Sequence, residues 1–212
     1  MQRLIYILLV VITALFCASS CKTDRSHAQK QQEHFIDSVN MEFGREIKFD
    51  SLKMSELKRW IRYSDSIGYP KGVAELAISA SKIYMLDFQT SQAMEMLETA
   101  RIAMEKTNDP GLAALVSFYY GYFNRRINNT DAAIQFWLKA LQLSLEAGDS
   151  AMYAQTLMQT GSLYLHKGLF VKAREYIGKS MSVNKQRRDQ ASLSIDYHLF
   201  SLYHSKKGEM DS

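Results

Sequence analysis

Residues forty positions apart keep the same chemical character along most of this chain, and that period restricts the fold more than any other feature. Gly121 and Gly161 fall in register, with Ser81 and Ser201 in the same column. Twelve residues on, Ala93, Ala133 and Ala173 align; four further, Leu97, Trp137 and Ile177; three further, Ala100, Ala140 and Ser180. Turn signals keep the period too, at "GYP" from Gly68, "NDP" from Asn108, "GDS" from Gly148 and "RDQ" from Arg188. Several independent columns sharing one period mark an internal repeat. A unit of this size cannot bury its apolar face alone, so stacked neighbours must cover it. Helix breakers are scarce, with 2 Pro and 10 Gly in 212 residues, and period-two alternation is absent. Each unit therefore reads as a pair of helices. The expected helices are 30–47, 52–66, 71–86, 91–106, 111–127, 131–146, 151–166, 171–186 and 191–206. Asp50, Thr90 and Thr130 sit where caps belong, and Pro70 and Pro110 at first turns, where Pro is tolerated.

The stretch "GSLYLHKGLFVKAREYIGKS", with Gly161, Tyr164, Ala173, Ile177 and Ser180, resembles the tetratricopeptide repeat (TPR). The preceding copy keeps Gly121, Ala133, Trp137 and Ala140 but has Asn124 where an aromatic is usual. The Ser81 copy keeps Tyr84, Ala93, Leu97 and Ala100. The earliest copy, near residues 30–69, is degenerate, with Lys53 in place of the small Ala. The resemblance implies an all-α, right-handed superhelical solenoid of antiparallel helix pairs over 30–212. Its units are about 30–69, 70–109, 110–149, 150–189 and a partial 190–212. In that fold the small residues let two backbones approach, while Tyr164, Trp137 and Ile177 are expected between one hairpin and the next. A forty-residue period, against about 34 for the usual unit, lengthens both helices.

The N-terminus carries an address. Arg3 is followed by an apolar run from Leu4 to about Cys17, short for a membrane span but of signal-peptide length. Ala18, Ser19 and Ser20 then precede Cys21, which resembles a bacterial lipobox. The resemblance implies a lipoprotein signal peptide over 1–20 and a lipid-carrying Cys21. The polar stretch 21–29 would be a tether at the membrane. The alternatives are an uncleaved anchor or a cut near Ser19. With Cys17 removed and Cys21 lipidated, no thiol remains for a disulfide, a metal site or a nucleophile.

No catalytic constellation stands out. His27, His34, His166, His198 and His204 lack metal-ligand spacing, and there is no Gly-rich phosphate loop, GxSxG or HExxH. No cofactor and no metal is expected, and the chain reads as a non-enzyme. A net charge of +4 is too small for a phosphate-tracking surface, so no nucleic-acid partner is expected. The Lys185, Arg187 and Arg188 cluster reads as a solvated helix end, with an anionic membrane surface as the alternative. "DSV", "DSL", "DSI" and "DSA", from Asp37, Asp50, Asp65 and Asp149, resemble an envelope O-glycosylation acceptor, though Asp and Ser are also ordinary turn residues.

The resemblance places a concave groove along the first helix of each pair. Its expected lining is Glu75, Ile78, Lys82, Met85, Leu115, Phe118, Tyr122, Arg125, Arg126, Gln155, Met158, Ser162 and His166. Arg beside aromatics suits an extended peptide bearing a carboxylate; the plain alternative for Arg125 and Arg126 is cations favoured at a helix end. The last expected helix is apolar over most of its circumference, through Leu193, Ile195, Tyr197, Leu199, Phe200, Leu202 and Tyr203. It reads as part of a longer ancestral array, a self-association or partner contact, or an ordinary cap. The function expected is a non-catalytic protein- or peptide-binding scaffold, lipid-anchored to the inner or outer membrane of a Gram-negative envelope. A truncated sensor half of an envelope TPR regulator is the alternative. Carbohydrate capture, as in longer TPR lipoproteins, ranks below both.

Overall fold

The computed structural model describes residues 22–43 and 50–211. The expected signal segment 1–20, Cys21 and the 44–47 end of the first expected helix lie outside the described residues. The described helices are α1 (Lys22–Phe43), α2 (Ser51–Ser66), α3 (Pro70–Leu86), α4 (Thr90–Met104), α5 (Pro110–Arg126), α6 (Thr130–Glu146), α7 (Ser150–His166), α8 (Phe170–Arg187) and α9 (Gln190–Asp211). Helices α2 to α8 begin and end within two residues of the sequence expectation. Helix α1 differs, because the stretch expected as a tether is already helical from Lys22.

Local chemistry sets the boundaries. Asp50 caps α2, accepting from Leu52 N at 2.9 Å and Lys53 N at 3.4 Å. Pro70 and Pro110 open α3 and α5, where a missing N–H removes nothing. Thr90 and Thr130 are not caps. Each is the first helical residue, one place inside Gln89 and Asn129. The reason is the turn before it: Phe88 and Asn128 take left-handed backbone, which sets the next residue as the flanking position.

Successive helices pair antiparallel as α3–α4, α5–α6 and α7–α8. Ala93, Ala133 and Ala173 are fully buried at the pair contacts. A Cβ on Gly121 would lie 2.4 Å from the Trp137 ring, and one on Gly161 would lie 2.8 Å from Ile177 Cγ1 and 3.1 Å from its backbone N. Ser81 makes its contact through a hydrogen bond, its hydroxyl donating to Ala93 O at 2.9 Å. Trp137 fills the gap inside its own pair, where Gly121 leaves a ring-sized opening, and its apolar cluster also takes in Leu163 of the next hairpin, as expected. Tyr164 likewise shares a cluster with Ala173 and Ile177 of α8 and Tyr203 of α9. Gly178 provides the contrast, since a Cβ there meets nothing within 4 Å. Gly178→Ala is expected to stabilise by about 0.5–1 kcal/mol through helix propensity alone. Gly161→Ala should destabilise despite the same propensity gain. Paired thermal melts check both signs.

The first unit departs from the pattern. Lys53 is exposed, and Trp60 stands forty places before Ala100, so a ring occupies the column where the later pairs need a methyl. Helix α1 rests mainly on α3 instead: Tyr69 OH donates to Asp37 Oδ1 (2.8 Å), Asn40 Nδ2 to Glu75 Oε2 (3.2 Å) and the Ser79 hydroxyl to Asn40 Oδ1 (3.0 Å).

The α8–α9 joint buries a carboxylate. Asp196 is fully buried in the column held by Leu76, Val116 and Thr156. Ser180 Oγ donates to Asp196 Oδ1 at 2.8 Å and Asn184 Nδ2 to Oδ2 at 2.7 Å. Burial raises the Asp196 pKa; the hydrogen bonds from Asn184 and Ser180 lower it less, and the Asp189 charge adds to the rise. A raised folded-state pKa means the folded chain holds this proton more tightly. The associated stability is complete below the ordinary value of 3.8 and is lost as pH climbs through the raised one. Asp196→Leu should remove that pH-dependent loss. The variant's stability relative to wild type should therefore rise as pH climbs above about 4 in urea melts.

Helix α9 buries Leu193 and Tyr203 against its neighbours, while Ile195 and Tyr197 are each 50% exposed and Leu202 38%. Its outer side carries Ser201, in the column of Gly121 and Gly161, and that residue is exposed.

Candidate functional site

The first helices of successive pairs touch one another, α3 against α5 and α5 against α7, and form an inner layer. Side chains on this layer belong either to the core or to an open groove. Ile78 and Phe118 are each 3% exposed and belong to the core, contrary to the expected lining, whereas Met85, equally buried, still reaches the wall of a cleft. Phe118 is drawn inward by Trp137, whose indole N–H donates to Phe118 O at 3.1 Å. Glu75, Lys82, Leu115, Tyr122, Arg125, Met158 and Ser162 are half-buried; Arg126, Gln155 and His166 are exposed.

A cleft of about 540 Å³ gathers part of the expected set at the C-terminal end of α5. Tyr122, Arg125 and Arg126 line it together with Met85, Phe88, Thr90, Phe123, Ile127 and Gln159. Arg125 Nη1 donates to Gln159 Oε1 on α7 at 2.6 Å. Arg126 Nη2 reaches the other way, to Met85 O at the end of α3, at 2.9 Å. That carbonyl belongs to a helix's last turn, where orphan acceptors and the dipole favour a cation. The Arg126 guanidinium also lies 5.2 Å from the Phe88 ring centroid. Lys82, Met158, Ser162 and His166 lie outside this cleft.

Phe88 and Gln159 were not foreseen. The signal for Phe88 was present, since Gly68, Asn128, Gly148 and Gly168 recur at multiples of twenty from it and Phe88 breaks their type. Gln159 had no signal, because its role follows from Arg125 crossing between helices.

The opposite end of α5 has a second cleft, of about 530 Å³, lined by Lys71, Glu75, Asp109, Leu115, Glu146, Asp149 and Met152 among others. Asp109 and Asp149 are spent as helix caps, accepting from Leu112 N and from Ala151 N and Met152 N. Burial raises the Glu75 pKa, partly offset by Lys71 3.9 Å away. Burial likewise lowers the Lys82 pKa. Both groups are held in partly dry surroundings where a partner of opposite charge gains more than it would in water. No group of His, Cys, Asp and Glu able to hold a metal occurs among the described residues. None of their helices is long and apolar enough to cross a membrane.

No family model and no curated protein sequence matches the chain. Solved structures do. BtubC (BKLC) from P. vanneervenii superposes with a TM-score of 0.66 at 16% identity, over 74% of this chain and 68% of its own. The TPR-like repeats of a kinesin light chain from Podosopora anserina superpose with a TM-score of 0.60 at 11% identity, over 85% and 86%. At these identities the likeness is one of fold, and the fold is the TPR-like helical solenoid.

Proposed function

We propose that this chain is a non-catalytic scaffold that holds a protein or peptide in its inner groove, tethered by lipid to a membrane of the bacterial envelope. The observation that carries the binding half is the cleft at the end of α5. There two guanidinium groups, an exposed aromatic and a polar amide converge on an open surface. Clefts of this size, with few polar groups set in apolar walls, suit recognition. Photo-reactive side chains placed at Met158 and Ser162 should crosslink a partner, while one at exposed Lys139 on α6 should not. Equal labelling at all three positions would count against a groove.

The tether rests on Cys21 and the small residues before it. Cys21→Ala is expected to move the protein from the membrane pellet to the soluble fraction, since lipid chains supply the anchoring energy. Retention in the pellet would point to an uncleaved apolar anchor. A second reading, the sensor half of an envelope regulator, is favoured by α9. Its exposed outer side keeps Ser201 in the small-residue column that receives a paired helix elsewhere.

A further inference from the structure

Turn residues of this array take left-handed backbone at a regular spacing: Gly68 (φ 71°), Phe88 (60°), Asn128 (61°), Gly148 (67°) and Gly168 (72°), with Arg188 (57°) after α8. Gly and Asn adopt this conformation at little cost; a bulky aromatic does not. Core packing gives nothing back, because Phe88 is 81% exposed. The turn itself sets the backbone, since Gln89 N donates to Tyr84 O at 2.9 Å as its counterparts do at the other turns, so what needs a reason is the ring; its described partner is the Arg126 guanidinium 5.2 Å from its centroid. A guanidinium over an aromatic ring still has N–H donors to give elsewhere. Here Nη2 donates to Met85 O, and the group also lines the cleft.

The cleft wall holds Arg125 and Arg126 and no carboxylate. The C-terminal ends of α3 and α5 bring partial negative charge of roughly −0.5 each, which two full positive charges outweigh. The two guanidinium groups are drawn to opposite walls, Arg125 to α7 and Arg126 to α3. Two carboxylates, one for each guanidinium, fit groups held to different walls. Alternate side chains of an extended chain share a face and lie roughly 6.6 Å apart. We propose that this cleft binds an extended acidic segment of a partner protein, with carboxylate side chains at alternate positions, one on Arg125 and one on Arg126. Phe88, Tyr122 and Ile127 give apolar wall beside the charge pairs. This assignment rests on the scaffold reading and names the partner's chemistry.

The test is fluorescence anisotropy on the protein carrying residues 22–212, with a labelled, C-terminally amidated Gly-Ser-Glu-Leu-Glu-Ser-Gly peptide. It should bind, weaken as salt is added, and lose about tenfold or more in affinity when both Glu are Gln. Phe88→Gly should weaken binding by a similar factor while leaving the melting temperature unchanged or higher, which a merely structural role would not give. Arg126→Lys should also weaken binding, since Lys keeps the charge but not the stack. No binding, equal binding of the Gln peptide, equal binding by Phe88→Gly, or preference for a free chain terminus without acidic residues would each overturn the assignment. Should Met158 and Ser162 still crosslink a partner in those cases, the scaffold reading survives and only the acidic ligand is lost.

Discussion

Trp137→Ala should lower unfolding free energy by about 3–5 kcal/mol, the range for deleting a large buried aromatic. The ring is fully buried between α5 and α6, in contact with Gly121 and Phe118. Its indole N–H donates to Phe118 O at 3.1 Å, so the change also removes a buried hydrogen bond. Collapse cannot refill the space, because the nearest wall is a glycine without a side chain. In a solenoid each unit leans only on its neighbours. The loss should therefore divide the array, with α3–α4 and α7–α9 melting in separate steps. Hydrogen exchange across a urea series reads this directly. A single cooperative transition near the wild-type midpoint would show that the ring carries no such weight.

Gly121→Ala is the complementary case, and local propensity predicts the opposite sign. Ala is better than Gly in a helix interior by about 1 kcal/mol. The added Cβ, however, would stand 2.4 Å from Trp137 Cδ1 and Nε1. A fully buried ring has no solvent side into which to retreat. Overpacking of this kind costs about 1–3 kcal/mol and should win. The two positions must then be coupled: in a Trp137→Leu background, matching Leu97 in the same column, Gly121→Ala should become neutral or stabilising. A double-mutant cycle by chemical denaturation gives the coupling, and strict additivity would show that the ring and the glycine do not meet as described.

The sequence was legible where one residue type per column decides the outcome. Helix spans, the small-residue contacts at Ala93, Ala133 and Ala173, and the two Pro starts all follow from local rules that recur from unit to unit. The misses share a cause. Thr90 and Thr130 looked like caps because their side chains suit the position, but a left-handed residue two places earlier moved the boundary. Ile78 and Phe118 suit groove lining by helix phase, but phase gives the layer a residue faces and not whether the neighbouring pair covers it. Of the cleft, Tyr122, Arg125 and Arg126 could be read from helix phase. Which wall each guanidinium leans on depends on Gln159 and Met85 O, and those partners are set by how pairs stack.

The carboxylate in the last joint has a consequence for how such an array evolves. Repeats multiply by copying, and a copied unit is kept when its faces accept any neighbour. Leu76, Val116 and Thr156 fill the column of Asp196 elsewhere, and none of them is charged. Helix α9 does not meet that condition. Placed after a copy of α6 it would set Asp196 against the counterparts of Ala140 and Ser144, and the donor given by Asn184 would be gone. A buried carboxylate stripped of its donors is strongly unfavourable. The unit that holds α7 and α8 is thus keyed to α9, so the array can lengthen by duplication before it while the α8–α9 joint is inherited as one piece.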